Sequence, residues 1–171
     1  MKVKNATILP NSLIGSYLPA NYSDVYIYKV NSEKRINPDD VMVNFWTDFP
    51  IWINALFKLR NFLVKFAGLK KEEQDLQELE KCIRMGKTYG IASVPAKNDD
   101  ETVLLLSDSH LDAYISVYVE NREERKTVST ITLVYFKNRL GRIYFFFVRP
   151  FHGAIVKSML KRAVDKVLSE S

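Results

Sequence analysis

The stretch "GRIYFFFVRPFHGAIVKSMLKRAVDKVL", Gly141–Leu168, decides the fold. Its second half reads clearly. Ile155, Met159, Ala163 and Val167 form one row at helical spacing, and Val156, Leu160, Val164 and Leu168 form the next. Lys157, Lys161, Arg162, Asp165 and Lys166 fall opposite. This is an amphipathic helix whose broad apolar stripe has to be buried. The first half, "GRIYFFFV" (Gly141 to Val148), is a short apolar run bounded by turn residues, and it is expected to form a strand. Pro150 then marks a corner between that strand and the helix.

Upstream of Gly141 the period is two back to about Lys87. "TYGIASV", "ETVLLLS", "LDAYISVYVE" and "RKTVSTITLVYF" read as strands, which makes five with "GRIYFFFV". The breaks "AKNDD", "SDS", "NRE" and "KNR" carry turn chemistry and are short, so an antiparallel meander is expected. Within the third strand, His110, Asp112, Tyr114, Ser116 and Tyr118 share one face. Leu111, Ala113, Ile115, Val117 and Val119 share the other, and that apolar face should meet the core.

Nearer the N-terminus, "DVYIYKV" (Asp24 to Val30) alternates and reads as a further strand. Asn37 caps a short helix, with Pro38 in its first turn and Asp39 and Asp40 at the positive end of its dipole. Pro50 starts a second helix, with Trp52, Ile53, Leu56, Leu59, Leu63 and Phe66 on one face and Gly68 ending it. "KKEEQDLQELEK" (Lys70 to Lys81) reads as a solvent-facing helix with Leu76, Leu79 and Ile83 inward. Residues 1–20, with Pro10, Gly15 and Pro19, are expected to run irregularly. The sum is one α+β domain over residues 1–171. A curved antiparallel sheet of about six strands wraps around a long C-terminal helix, with two or three helices between the first and second strands.

The totals narrow the function classes. The charge of +5, from 25 basic against 20 acidic residues, is mild, and the basic residues read as solvated faces rather than a nucleic-acid surface. No apolar run is long enough for a membrane span or a signal peptide, and the lone Cys82 fits a reducing compartment, so the expected location is cytoplasmic. Two distant histidines and one cysteine give no metal spacing. Without a Gly-rich phosphate loop, GxSxG or HExxH, no cofactor is expected.

The segment order resembles the helix-grip fold of the START-like and polyketide-cyclase-like superfamily. More specifically, "LRNFLVKFAGL" (Leu59 to Leu69), "SDSHLDAYISV" (Ser107 to Val117) and "GRIYFFFVRPFHGAIV" (Gly141 to Val156) resemble an uncharacterised domain-of-unknown-function family. Some of its members sit behind short-chain-dehydrogenase-like domains. The resemblance runs from about Tyr22 to Lys161. One departure is Ser109, where a lysine commonly precedes the family's histidine. What the resemblance implies is a cavity between sheet and last helix, suited to a small apolar or amphipathic ligand, with aromatics such as Trp52, Tyr114, Tyr144, Phe146 and Phe151 as candidate lining.

Three polar groups are candidates for that ligand. His110 and Asp112 are either an acid–base or orienting pair, or the hydrogen bonds that hold a turn begun by Asp108 and Ser109. Arg60 falls beside an apolar helical face and needs a carboxylate such as Asp108 or Asp112 unless it reaches solvent; Asn61 follows it. Arg149 and His152 flank Pro150 and Phe151 where the last helix begins, a place that suits an anion or is simply a rigid corner. Three functions fit: a non-catalytic binding module, a cyclase- or dehydratase-type enzyme using pocket His, Asp and Arg, or an accessory or dimerisation domain.

Overall fold

The computed structural model describes residues 11–48 and 75–170. The helix expected from Pro50, with Trp52, Arg60 and Asn61, lies outside the described residues. The architecture is α+β, with a curved, open, six-stranded antiparallel sheet and a long C-terminal helix. The strands are β1 (Tyr22–Asn31), β2 (Thr88–Tyr89), β3 (Ala92–Lys97), β4 (Glu101–Ser107), β5 (Leu111–Arg122) and β6 (Arg125–Phe136). Their order across the sheet is β1-β6-β5-β4-β3-β2. Strands β2 to β6 therefore follow the meander that the short turns require, and β1 closes onto β6 with Asp24 opposite Thr132 and Tyr26 opposite Thr130.

The described helices are α1 (Pro38–Thr47), α2 (Leu76–Met85) and α3 (Arg139–Glu170). Asn37 caps α1 by accepting from the Asp39 amide at 2.8 Å, and Pro38 takes the first helical position. Asp75 does the same for α2 through the Gln77 amide, and Gly86 ends it in the left-handed conformation. Leu79, Cys82 and Ile83 are the buried face of α2; Leu76, expected inward, is exposed. It is the first residue of the helix.

The six strands are not the six the sequence pattern implies. "TYGIASV" folds as two strands, β2 and β3, because Gly90 takes a positive φ of 53° and turns the chain between them. "GRIYFFFV" is helix, not strand. The run is apolar at both periods, so alternation could not separate the two states. Two contacts favour the helix. The Asn138 side chain accepts from the Gly141 amide at 3.1 Å, which makes the "KNR" turn a helix start. Gly141 then lies so close to the His110 carbonyl that a Cβ there would stand 2.1 Å from its oxygen. The helix continues through Pro150, so no corner forms there.

One face of the sheet carries the helices. Tyr26, Tyr28, Leu104, Val117, Val119 and Val128 pack there with Val41, Met42 and Phe45 of α1 and with Val156, Met159, Leu160, Ala163 and Val164 of α3. Each fully buried aliphatic side chain of this kind contributes about 1.5–3 kcal/mol. The odd residues of β5 face the helices, as their alternation requires. The opposite face is smaller. Val25, Val103, Ile131 and Leu133 pack there on Ile14, which belongs to a short 3-10 turn at Leu13–Tyr17. The N-terminal segment is thus docked on the sheet from Ser12 onward rather than irregular throughout.

Candidate functional site

Strand β1 runs along α3, and its even residues all point at the helix. Tyr22 meets Phe145 and His152, Asp24 meets His152, Tyr26 meets Gly153, and Tyr28 donates to Asp165 at 2.6 Å. Gly153 makes this approach possible, since a Cβ there would lie 2.7 Å from the Tyr26 hydroxyl. Asp24 is the centre of the group. Its side chain is only 8% exposed and that of His152 14%. Nε2 of His152 stands 3.1 Å from Oδ2 of Asp24, and the Tyr22 hydroxyl donates to the same oxygen at 2.7 Å. The other oxygen, Oδ1, is buried without a hydrogen-bond partner among the described residues. The hydroxyls of Thr130 and Thr132, buried on the same helix-facing side of β6, also lack one there. A buried polar atom without a partner is uncommon in a folded protein, and these three lie side by side, with Thr132 opposite Asp24 and Thr130 opposite Tyr26 across the strand pair.

The electrostatics follow from this burial. Desolvation works against the Asp24 carboxylate, but the contacts with His152, Tyr22 and Thr132 outweigh it, and its pKa falls below the ordinary value. Thr132 stands opposite Asp24 on the neighbouring strand, which brings its hydroxyl close enough to favour the carboxylate. Tyr22 is pushed well above the usual phenol range by burial and by Asp24, and Tyr26 is pushed up to about 12 by the same two causes. Both phenols are therefore protonated donors at neutral pH. The Arg149 guanidinium lies 5.8 Å from the centre of the Tyr22 ring, a cation–π distance, and Lys157 lies 5.2 Å from that of Tyr26. The site is an ionised carboxylate under a helix, walled by aromatic rings and edged by cations.

Sequence reasoning had singled out His152 and Arg149, and both belong to this group. It missed Asp24, Tyr22, Tyr26, Thr130 and Thr132. A signal was present: Asp24 is the one acidic residue on a strand face otherwise made of Tyr22, Tyr26 and Tyr28.

The other candidates lie elsewhere. His110 is buried against the start of α3, with its ring 5.3 Å from that of Tyr144 and Nδ1 3.4 Å from Asp108. Asp112 stands 2.7 Å from Lys137, which also donates to Ser107 and to the Asp108 carbonyl. The Ser109 carbonyl accepts from Asn138, and the His110 carbonyl from the Lys137 amide. The Asp108–Asp112 turn is thus the seat on which α3 begins. Tyr114 lies on the far face of the sheet, stacked on Tyr17 at 4.5 Å. Phe146 and Phe151 are exposed.

Two further buried carboxylates hold the fold. Glu101 accepts from Ser12 Oγ at 2.7 Å, from the Leu13 and Ile14 amides, and from Ser116, so it fixes the 3-10 turn to the sheet. Asp39 accepts from Thr102 at 2.6 Å and pairs with Lys97, joining α1 to β3 and β4. Cys82 is buried, and its thiol is pushed up by that burial. A shallow open depression of about 540 Å³, lined by residues including Arg35, Tyr118 and Arg122, lies at the far end of β5 and β6. Among the described residues no cluster of three His, Cys, Asp or Glu side chains could hold a metal, and no helix is long and apolar enough to cross a membrane.

With fold and site in view, the chain can be placed. It belongs to the family described as "Protein of unknown function (DUF2867)", whose model matches residues 17–159, a span that takes in β1, the whole sheet and α3 as far as Met159. No curated protein and no solved structure matches the chain.

Proposed function

We propose that the domain binds a small amphipathic molecule between β1–β6 and α3, without transforming it. The observation that carries this reading is the set of buried, unpartnered polar atoms at one place: Asp24 Oδ1 and the Thr130 and Thr132 hydroxyls. A ligand hydroxyl or amine could donate to Asp24, whose carboxylate is favoured by its surroundings and lies beside the Tyr26 and Thr132 hydroxyls. Tyr22, Phe145 and the Tyr26 ring offer apolar surface beside it. The expected ligand is thus polar at one end and apolar at the other.

The test is native mass spectrometry of the gently purified protein, followed by thermal shift with octanol, octylamine and octanoate. Octanol or octylamine should raise Tm, and Thr132→Val or Asp24→Asn should diminish the rise. Tyr114→Phe, on the opposite face, should leave it unchanged. No retained ligand and no shift with any of the three would overturn the reading.

The closeness of His152 to Asp24 favours a second reading, an enzyme that moves a proton while Arg149 steadies an enolate oxygen. Such an enzyme should exchange the acidic protons of acetylacetone for deuterium faster than buffer does, and His152→Gln should abolish the excess. Exchange at the buffer rate would remove it. An accessory or dimerisation role, the third function, needs an exposed apolar face, and α3 carries one.

A further inference from the structure

The two halves of α3 are built differently. Beyond Val156 its apolar residues point inward and its charges outward. From Leu140 to Phe151 the helix is apolar on both sides. Gly141 and Phe145 face the protein, while Leu140, Ile143, Phe146, Phe147 and Phe151 are exposed, Phe146 to 72%. At 100° per residue these five fall on one arc, opposite the buried row. Together they expose on the order of 500 Å² of apolar surface, at the upper end of what a monomer leaves uncovered.

The charge around this stripe selects what covers it. From Lys137 to Val164 the chain has seven basic residues and no Asp or Glu. Arg139 and Arg142 are exposed along the stripe, and neither has a carboxylate within 4 Å among the described residues. Two copies meeting through this face would bring like charges together around the apolar contact. A nucleic acid would use the rings for stacking, but Leu140 and Ile143 have no ring to stack. A stripe of phenylalanine and aliphatic side chains on a convex helix, edged by arginines, matches the interface of an anionic bilayer.

We infer that the outward face of α3 from Leu140 to Phe151 docks on an anionic membrane surface, lying in the headgroup plane with the phenylalanines at the acyl boundary. The inference is independent of the ligand reading, which concerns the inward face of the same helix. It requires no membrane span.

The experiment is co-sedimentation of the full chain with vesicles of phosphatidylcholine alone and of phosphatidylcholine with about 30 mole per cent phosphatidylserine, whose negative surface potential attracts basic residues. Binding should need the anionic lipid and fall several-fold between 0.1 and 0.5 M salt. Phe146→Ser with Phe147→Ser should reduce it at least ten-fold, with circular dichroism and Tm close to those of the parent because both side chains are exposed. Phe147→Cys should react with a soluble maleimide in the native protein because position 147 is exposed, and the buried Cys82 should add little background. Several outcomes would overturn the inference: equal weak binding to both vesicles, a double variant that binds as well as the parent, or a Phe147→Cys protein that does not react, which would mean the chain itself covers this face. A dimer or a single-stranded DNA complex that the double variant abolishes, without vesicle binding, would assign the face to that partner instead.

Discussion

Replacing Gly141 by alanine sets two effects of known size against each other. In an ordinary exposed helix the change would stabilise by about 1 kcal/mol, because alanine restricts the unfolded chain and favours the helix. Here the new Cβ would stand 2.1 Å from the His110 carbonyl oxygen and 3.0 Å from its carbon. A comfortable carbon–oxygen contact is about 3.3 Å, so the start of α3 has to lift by about 1 Å from the Asp108–Asp112 turn. Both partners are backbone, and no rotamer change relieves the clash. The lift strains the Lys137 amide bond to His110, 3.0 Å, and the Asn138 bond to the Ser109 carbonyl, 3.1 Å. Overpacking of this kind costs about 1–3 kcal/mol, and each disturbed hydrogen bond adds up to about 1 kcal/mol. The clash outweighs the propensity gain, and Gly141→Ala should destabilise by about 1–3 kcal/mol. Urea unfolding followed by circular dichroism measures this as a lower midpoint at unchanged slope. A midpoint equal to or above that of the parent would refute the close seating of α3, and with it the account of why "GRIYFFFV" is helical.

Asp24 makes stability depend on pH in one direction. Its folded pKa lies below the unfolded value, so its contribution is fully present above about pH 4 and is lost as pH falls through the folded pKa. Urea midpoints from pH 7 to 3 should show this fall, and Asp24→Asn should be less stable at pH 7 yet flatter with pH. Glu101→Gln should release the 3-10 turn, since a neutral amide cannot accept from Ser12, Ser116 and two amides equally well; a loss of about 2–4 kcal/mol and faster hydrogen exchange at Leu13 and Ile14 are expected. Asn138→Ala should cost about 1 kcal/mol through the lost cap on Gly141, a difference that chemical denaturation resolves.

What the sequence showed of the fold was what a single period could decide. Val117 and Val119 alternate with Ser116 and Tyr118, and the structure puts the valines against the helices. Asn37 and Pro38 announce α1 by local chemistry, and they start it. Residues 143–148 had no such signal, because every position is apolar and the deciding contact is made by Gly141 with His110, from the far side of strands β5 and β6 in the chain. The candidate site was legible in part for the same reason. His152 and Arg149 stand out because they flank Pro150 and Phe151 at what reads as a helix start, a place that suits an anion. Asp24 was hidden because its meaning depends on β1 lying along α3, and only the pairing of β1 with β6 fixes that. Thr130 and Thr132 look like ordinary strand residues until the helix above them is in place.

That pairing has a consequence for how the chain is made. Strand β1 finds its partner only in β6, and even their nearest residues, Asn31 and Arg125, are separated by roughly a hundred positions of chain, a span that closes slowly. A ribosome working at about 5–20 residues per second would leave β1 waiting several seconds for β6 to emerge. During that delay the Tyr-rich edge that later cradles Asp24 has no native neighbour. The meander from β2 to β6 can assemble first, from adjacent hairpins, and the earliest-made strand of this sheet would then be the last to join it.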